Sequence, residues 1–156
     1  MNGPVSWQKA QNSDSKEIIA LIRQVMEEFG FKNFGAQVDD MPEPDEFNAK
    51  GFLGTLRYQD RILGTYAFLP SSEDTVEIQK IYLAPELRGN HLGQEMMSLL
   101  ERIIAGRGFR KITMLSSGRY QAALRLYDRL GYSRLQRAED ASIFCDWQLE
   151  KVLADG

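Results

Sequence analysis

Val76-Glu77-Ile78-Gln79-Lys80-Ile81-Tyr82-Leu83-Ala84-Pro85-Glu86-Leu87-Arg88-Gly89-Asn90-His91-Leu92-Gly93 is the stretch that decides the fold. Val76–Leu83 is mainly apolar and stops at Ala84-Pro85, so it reads as a strand. Arg88–Gly93 is a basic, glycine-containing loop. Leu92, Met96, Leu99, Leu100, Ile103 and Ile104 then recur at helical spacing, so a helix begins near Leu92 and closes at Gly106 or Gly108. A glycine loop that opens a helix turns several backbone N–H groups toward one point, and the helix dipole assists them. Such a point is an anion site, and a pyrophosphate is its usual guest.

The strand carries an irregularity. Val76 and Ile78 share one parity, while Ile81 and Leu83 share the other. Side chains alternate along a strand, so the apolar face switches near Gln79-Lys80. A bulge would do this; so would a second apolar layer facing Ile81.

Outward from this stretch, Lys111–Leu115 reads as a strand. Ala123, Leu126, Tyr127 and Leu130 mark a second helix stripe, closed by Gly131-Tyr132, and Ile143, Cys145, Trp147 and Leu149 alternate as a last strand. Upstream, Val5–Lys9 is a short strand. Asp14 and Glu17 have capping-box spacing ahead of Ile18, Ile22, Val25 and Phe29, and Gly30 ends that helix. Residues 35–47, with Pro42 and Pro44, read as loop or a short irregular helix. Phe52–Tyr58 and Ile62–Leu69 form an antiparallel pair around Gln59-Asp60-Arg61. The order predicts an α/β domain over residues 1–156, with a mixed, mostly antiparallel central sheet and helices on both faces.

Composition narrows the function. At 156 residues the chain can bury a real core as one domain. A formal net charge of −3 argues against nucleic acid or an anionic membrane as the main partner. No apolar run approaches the roughly 20 residues of a membrane span, and no signal peptide is visible. One cysteine excludes an internal disulfide and suits the cytoplasm; one histidine and one cysteine argue against a transition-metal site.

Two segments carry a resemblance. The strand end Ile81-Tyr82-Leu83-Ala84-Pro85 with Arg88, His91 and Gly93 is similar to the Arg/Gln-x-x-Gly-x-Gly/Ala motif of the GCN5-related N-acetyltransferase (GNAT) family. Tyr120, Ala123, Leu126, Tyr127, Gly131 and Tyr132 resemble its second motif, Asn-x-x-Ala-x-x-Leu-Tyr-x-x-x-Gly-Phe. His91 stands where the family usually has glycine, and Tyr120 where it has asparagine. The resemblance covers the C-terminal half by motif and the rest by element order.

The resemblance implies an acetyl-CoA-dependent N-acetyltransferase acting on a primary amine of a small molecule, by direct attack in a ternary complex. It implies acetyl-CoA as co-substrate and no metal. The cofactor contacts would come from Ile81, Tyr82, Leu83, Arg88, Gly89, Asn90, His91, Leu92, Gly93, Gln94, Tyr120, Ala123 and Tyr127. Arg88 would add positive charge at the pyrophosphate. His91 could reach a phosphate or the adenosine, or be an exposed helix-start residue; its amide donates without strain only if its φ is negative. Tyr127 is the candidate general acid for the departing thiolate, its alternative being a core tyrosine. Glu77 is the candidate base for the amine, with Glu73 and Asp74 behind it, its alternative being a surface carboxylate.

The acceptor stays open. Asp39-Asp40-Met41-Pro42-Glu43-Pro44-Asp45-Glu46 carries five carboxylates and no base, which would favour a cationic amine if it borders the cleft. Protein or peptide acetylation and a non-catalytic acyl-CoA-binding module are the rival readings, and a homodimer is left open. Cys145, on an alternating strand, reads as a small core residue rather than a nucleophile.

Overall fold

The computed structural model describes residues 4–32, 38, 40–136 and 146–153. Seven strands form one sheet in the order β1-β2-β3-β4-β5-β7-β6. The strands are β1 (Ser6–Lys9), β2 (Phe52–Tyr58), β3 (Arg61–Pro70), β4 (Thr75–Leu83), β5 (Lys111–Ser116), β6 (Ser133–Gln136) and β7 (Trp147–Val152). Every pairing is antiparallel except β4 with β5. The helices are α1 (Ser15–Glu28), α2 (Pro44–Lys50), α3 (Leu92–Gly106) and α4 (Gln121–Arg129). Helix α3 is the crossover that the parallel pair β4–β5 requires.

Strand β3 is buried without a break from Ile62 to Phe68, a pattern that arises only when both sheet faces are covered. On one face Phe52, Tyr66 and Phe68 pack ring to ring, and Arg107 at the end of α3 lies over Phe52 and Phe68. Helices α1 and α2 pack against β2, β3 and β4. Helix α1 buries Ile18, Leu21, Ile22, Val25 and Met26, and α3 buries Leu92, Met96, Met97, Leu100 and Ile104.

Several local expectations hold. The β2–β3 turn places Gln59 (φ 52) and Asp60 (φ 62) in the left-handed region, as a two-residue hairpin turn with the twist of its strands does. Helix α1 ends with Gly30 at φ 82; the Gly30 amide donates to Glu27 and the Phe31 amide to Met26, closing the last carbonyls. The expected capping box of Asp14 with Glu17 does not form. The Asp14 carboxylate accepts instead from the Gln11 amide (2.8 Å) and from Arg57 (2.7 Å), and Glu17 accepts from the Ile62 amide across the chain (2.7 Å). Of the two readings for residues 35–47, loop or short helix, the helix holds at the C-terminal end as α2, with Pro44 in its first turn, where a missing N–H costs nothing. Strand β6 has no counterpart in the sequence expectations. Residues 143 and 145, expected on the last strand, lie outside the described residues.

The parity break is a bulge. Gln79 faces Ala67 and Tyr82 faces Thr65, so Lys80 and Ile81 together oppose Tyr66 alone. Lys80 takes φ 57, a left-handed conformation that costs a side-chain-bearing residue about 1–2 kcal/mol. Just before it the parallel pairing ends: β4 and β5 are joined only from Thr75–Lys111 to Ile78–Met114. Past that point β4 continues beside β3 and β5 beside β7, so the two strands part and leave an open edge on each.

Candidate active site

A cleft of about 630 Å³ occupies the parting. Its floor is β4 from Glu77 to Leu83 and β5 from Met114 to Ser116. Gly89, His91, Leu92, Gly93 and Gln94 line one end, with Arg88 beside them. Helix α4 contributes Ala123, Leu126 and Tyr127, preceded by Tyr120. Of the residues expected to contact a cofactor, all but Asn90 line this one space.

The loop presents a row of free backbone donors. Gly89 (φ 81) and His91 (φ 59) are both left-handed, turning the chain sharply before α3 starts. None of the amides of Gly89–Gln94 finds an acceptor among the described residues, and no side chain caps the helix. A cluster of free N–H groups at a helix N-terminus can encircle a phosphate oxygen. Asn90 turns away: its side-chain amide donates to the Leu87 and Arg88 carbonyls (3.3 and 3.2 Å), which holds the turn.

Two expectations change here. Arg88 is not a spare cation for phosphate. Its guanidinium pairs with both Glu28 oxygens (2.5 and 3.0 Å), donates twice to the Leu83 carbonyl (3.1 and 2.9 Å) and lies over the Phe29 ring. It ties the end of α1 to the end of β4 with its charge already balanced. The negative φ that would let His91 donate without strain is absent, so its backbone is strained. His91→Gly is expected to stabilise the fold by about 0.5–1 kcal/mol, the left-handed penalty less the extra chain entropy of glycine. Thermal unfolding checks this. His91 is exposed, and acetyl-CoA affinity unchanged within twofold would mark it as a helix-start residue; a tenfold loss would mean that the imidazole touches the cofactor.

Tyr127 is 3% exposed and packs its ring edge-on to Tyr132. Its hydroxyl makes no hydrogen bond to the described residues, yet among those residues no fully buried polar side-chain atom lacks a partner. The oxygen therefore opens onto the cleft. Burial, aided by the nearby Tyr82, pushes the phenol above its ordinary range, so it stays protonated at neutral pH. Tyr132, by contrast, donates to Glu101 (2.9 Å) and is structural.

Glu77 is half-buried and is the one carboxylate among the described lining residues, with Gln79 donating to it (2.7 Å). Glu73 and Asp74 lie in the exposed turn before β4, away from the cleft, where Asp74 accepts from Ser72 and Thr75. The acidic stretch also stays off it. Asp40, Glu43, Asp45 and Glu46 do not line the cleft; Asp39, like Cys145, lies outside the described residues.

An aromatic wall of the cleft was not anticipated. Val25, Met26, Phe29 and Phe31 line it, and Tyr120 meets Phe29 edge-on (4.8 Å) and Phe31 at a tilt (5.5 Å). Nothing in the spacing of these residues separates them from an ordinary core stripe. They meet because the Gly30 turn carries Phe31 back toward α4.

Residues 19–132 match the model of the acetyltransferase (GNAT) family, and the chain belongs to that family. It is 27% identical over 134 residues to the uncharacterized N-acetyltransferase YjgM of Escherichia coli K12, spanning 80% of each chain. Its structure is similar to that of a GNAT-family acetyltransferase from Staphylococcus aureus Mu50 (TM-score 0.83, 14% identity, 97% of this chain and 100% of that one). It is also similar to a PaiA N-acetyltransferase from Thermoplasma acidophilum in complex with coenzyme A (TM-score 0.79, 12% identity, 97% and 100%). At these identities the structural likeness is one of fold. Among the described residues no helix is long and apolar enough to cross a membrane.

Proposed function

We propose that this protein transfers the acetyl group of acetyl-CoA to a primary amine of a small molecule, by direct attack in a ternary complex. The observation that carries this reading is one cleft combining three parts: an amide-lined helix start, the open edges of β4 and β5, and a cleft-facing tyrosine hydroxyl. The N-acetyltransferase relative and the coenzyme A complex of similar fold support it.

In this mechanism the amides of Gly89–Gln94 hold the pyrophosphate, and Arg88 acts by bracing the loop. The free edge at Ile81–Leu83 pairs with the pantetheine arm like an added strand. Backbone at the bulge stabilises the oxyanion formed as the amine attacks the thioester carbonyl. Glu77 takes the amine's proton, the new N–C bond forms, and the C–S bond breaks. Tyr127 gives its proton to the departing sulfur. An acceptor meets the aromatic wall of Phe29, Phe31 and Tyr120, and attraction for a cationic amine rests on Glu77, since the described acidic stretch lies off the cleft.

Initial rates measured while varying both substrates test the ternary complex. Intersecting double-reciprocal lines are expected; parallel lines would require a covalent acetyl-enzyme and overturn direct attack.

A further inference from the structure

Lys80 sits mid-strand in a conformation that side chains resist, at φ 57. The left-handed position of a bulge is normally glycine's. What holds a lysine there is on the adjacent strand. The Thr65 hydroxyl donates to the Lys80 carbonyl at 2.8 Å. Thr65 is fully buried, as are Tyr66 and Ala67 beside it, so the donor side of that bond is closed to water. The Thr65 backbone is itself fixed, facing Thr55 on one side and Tyr82 on the other. A hydroxyl anchored at the centre of the sheet thus braces the bulge from behind, while Lys80 and Ile81 line the cleft in front.

We infer that Thr65 is a positioning residue for acetyl transfer: its hydroxyl locks Lys80 in the left-handed conformation and so aims the Ile81 backbone at the acetyl carbonyl. Thr65 does not line the cleft and acts only through β4. The inference rests on the acetyltransferase reading above. A donor to a developing oxyanion works only if it is in place before reaction, and a displacement of about 1 Å removes much of its effect.

Thr65→Val keeps the shape and removes the hydroxyl. It is expected to lower kcat at least tenfold with the KM for acetyl-CoA within twofold, because the pyrophosphate is gripped at Gly89–Gln94, beyond the end of β4. Thr65→Ser restores most of the turnover. The discriminating background is Lys80→Gly, since glycine holds a positive φ unaided. In that background, adding Thr65→Val costs less than twofold of whatever turnover remains. Wild-type kcat in Thr65→Val overturns the inference, as does an undiminished loss with glycine at position 80. If Thr65→Val does not fold, the double variant is expected to; failure of both would make Thr65 a purely structural residue. Carbon-13 Cα and Cβ shifts of Lys80 read the lock without turnover. They are expected to leave left-handed values in Thr65→Val and keep them in Thr65→Ser. An enzyme that turns over no amine fails the functional reading alone, whereas unmoved Lys80 shifts in Thr65→Val fail the lock.

Discussion

Tyr127→Phe is expected to lower kcat by about 10²–10⁴-fold, the range a positioned general acid supplies, with acetyl-CoA affinity within threefold. The ring is buried and packed on Tyr132, so phenylalanine keeps the core; only the cleft-facing oxygen is lost. A thiolate leaves more readily than an alkoxide, which places the expectation toward the lower end of the range. Burial raises the phenol, so the acid form persists through neutral pH. Any alkaline limb in kcat caused by Tyr127 must lie above 10.0, the ordinary tyrosine value. A limb near neutrality that survives in Tyr127→Phe belongs to another group. Wild-type turnover in the variant would make Tyr127 a packing residue.

Gly93→Glu is expected to abolish measurable acetyl-CoA binding. The residue lies in the first turn of α3, among the free amides, where a pyrophosphate would sit. A carboxylate there faces that anion and competes for the same donors, at a cost of several kcal/mol, or more than about 10³-fold in affinity. Packing supplies the control. A Cβ at position 93 meets a Leu126 methyl at 3.3 Å, so Gly93→Ala also presses α4 but carries no charge. Gly93→Ala should keep acetyl-CoA affinity within about tenfold, since the methyl contact can relax by a few tenths of an ångström. Calorimetry on both folded variants separates the two effects; unchanged affinity in Gly93→Glu would move the pyrophosphate elsewhere.

What could be read from the chain was local. The strand–loop–helix order follows from composition and 3.6-residue periodicity within one segment, and the bulge from a parity break confined to Val76–Leu83. The turn near Gln59-Asp60-Arg61 and the Gly30 helix stop are likewise set by near neighbours, although the left-handed geometry of Gln59 and Asp60 came only from the structure. What stayed hidden depends on partners far along the chain. Arg88 looks like a free phosphate ligand until Glu28 is seen beside it, 60 residues away in sequence. Asp14 and Glu17 have capping-box spacing, but Arg57 and the Ile62 amide take them. The acidic stretch could be a substrate funnel or a solvated loop on sequence alone, because charge is visible in sequence and its direction is not. Phe29 passes for core because aromatic spacing is the same in a core and in a cleft wall, and Phe31, past the Gly30 stop, carries no signal. The Thr65 brace has no sequence signal: a buried threonine on a central strand is ordinary until Lys80 is found across from it.

Acetylation of a small amine in this cleft can be measured directly. Its most direct test is release of free coenzyme A thiol from acetyl-CoA, followed with a chromogenic disulfide while a mixed panel of cationic, aromatic and acidic small amines and short peptides is added. Release is expected to depend on at least one small amine, to saturate with it, and to match the N-acetylated product mole for mole. Tight acetyl-CoA binding with no amine-dependent release would instead mark a binding module, and release with peptides alone would mark a protein acetyltransferase; either result would overturn small-amine acetylation.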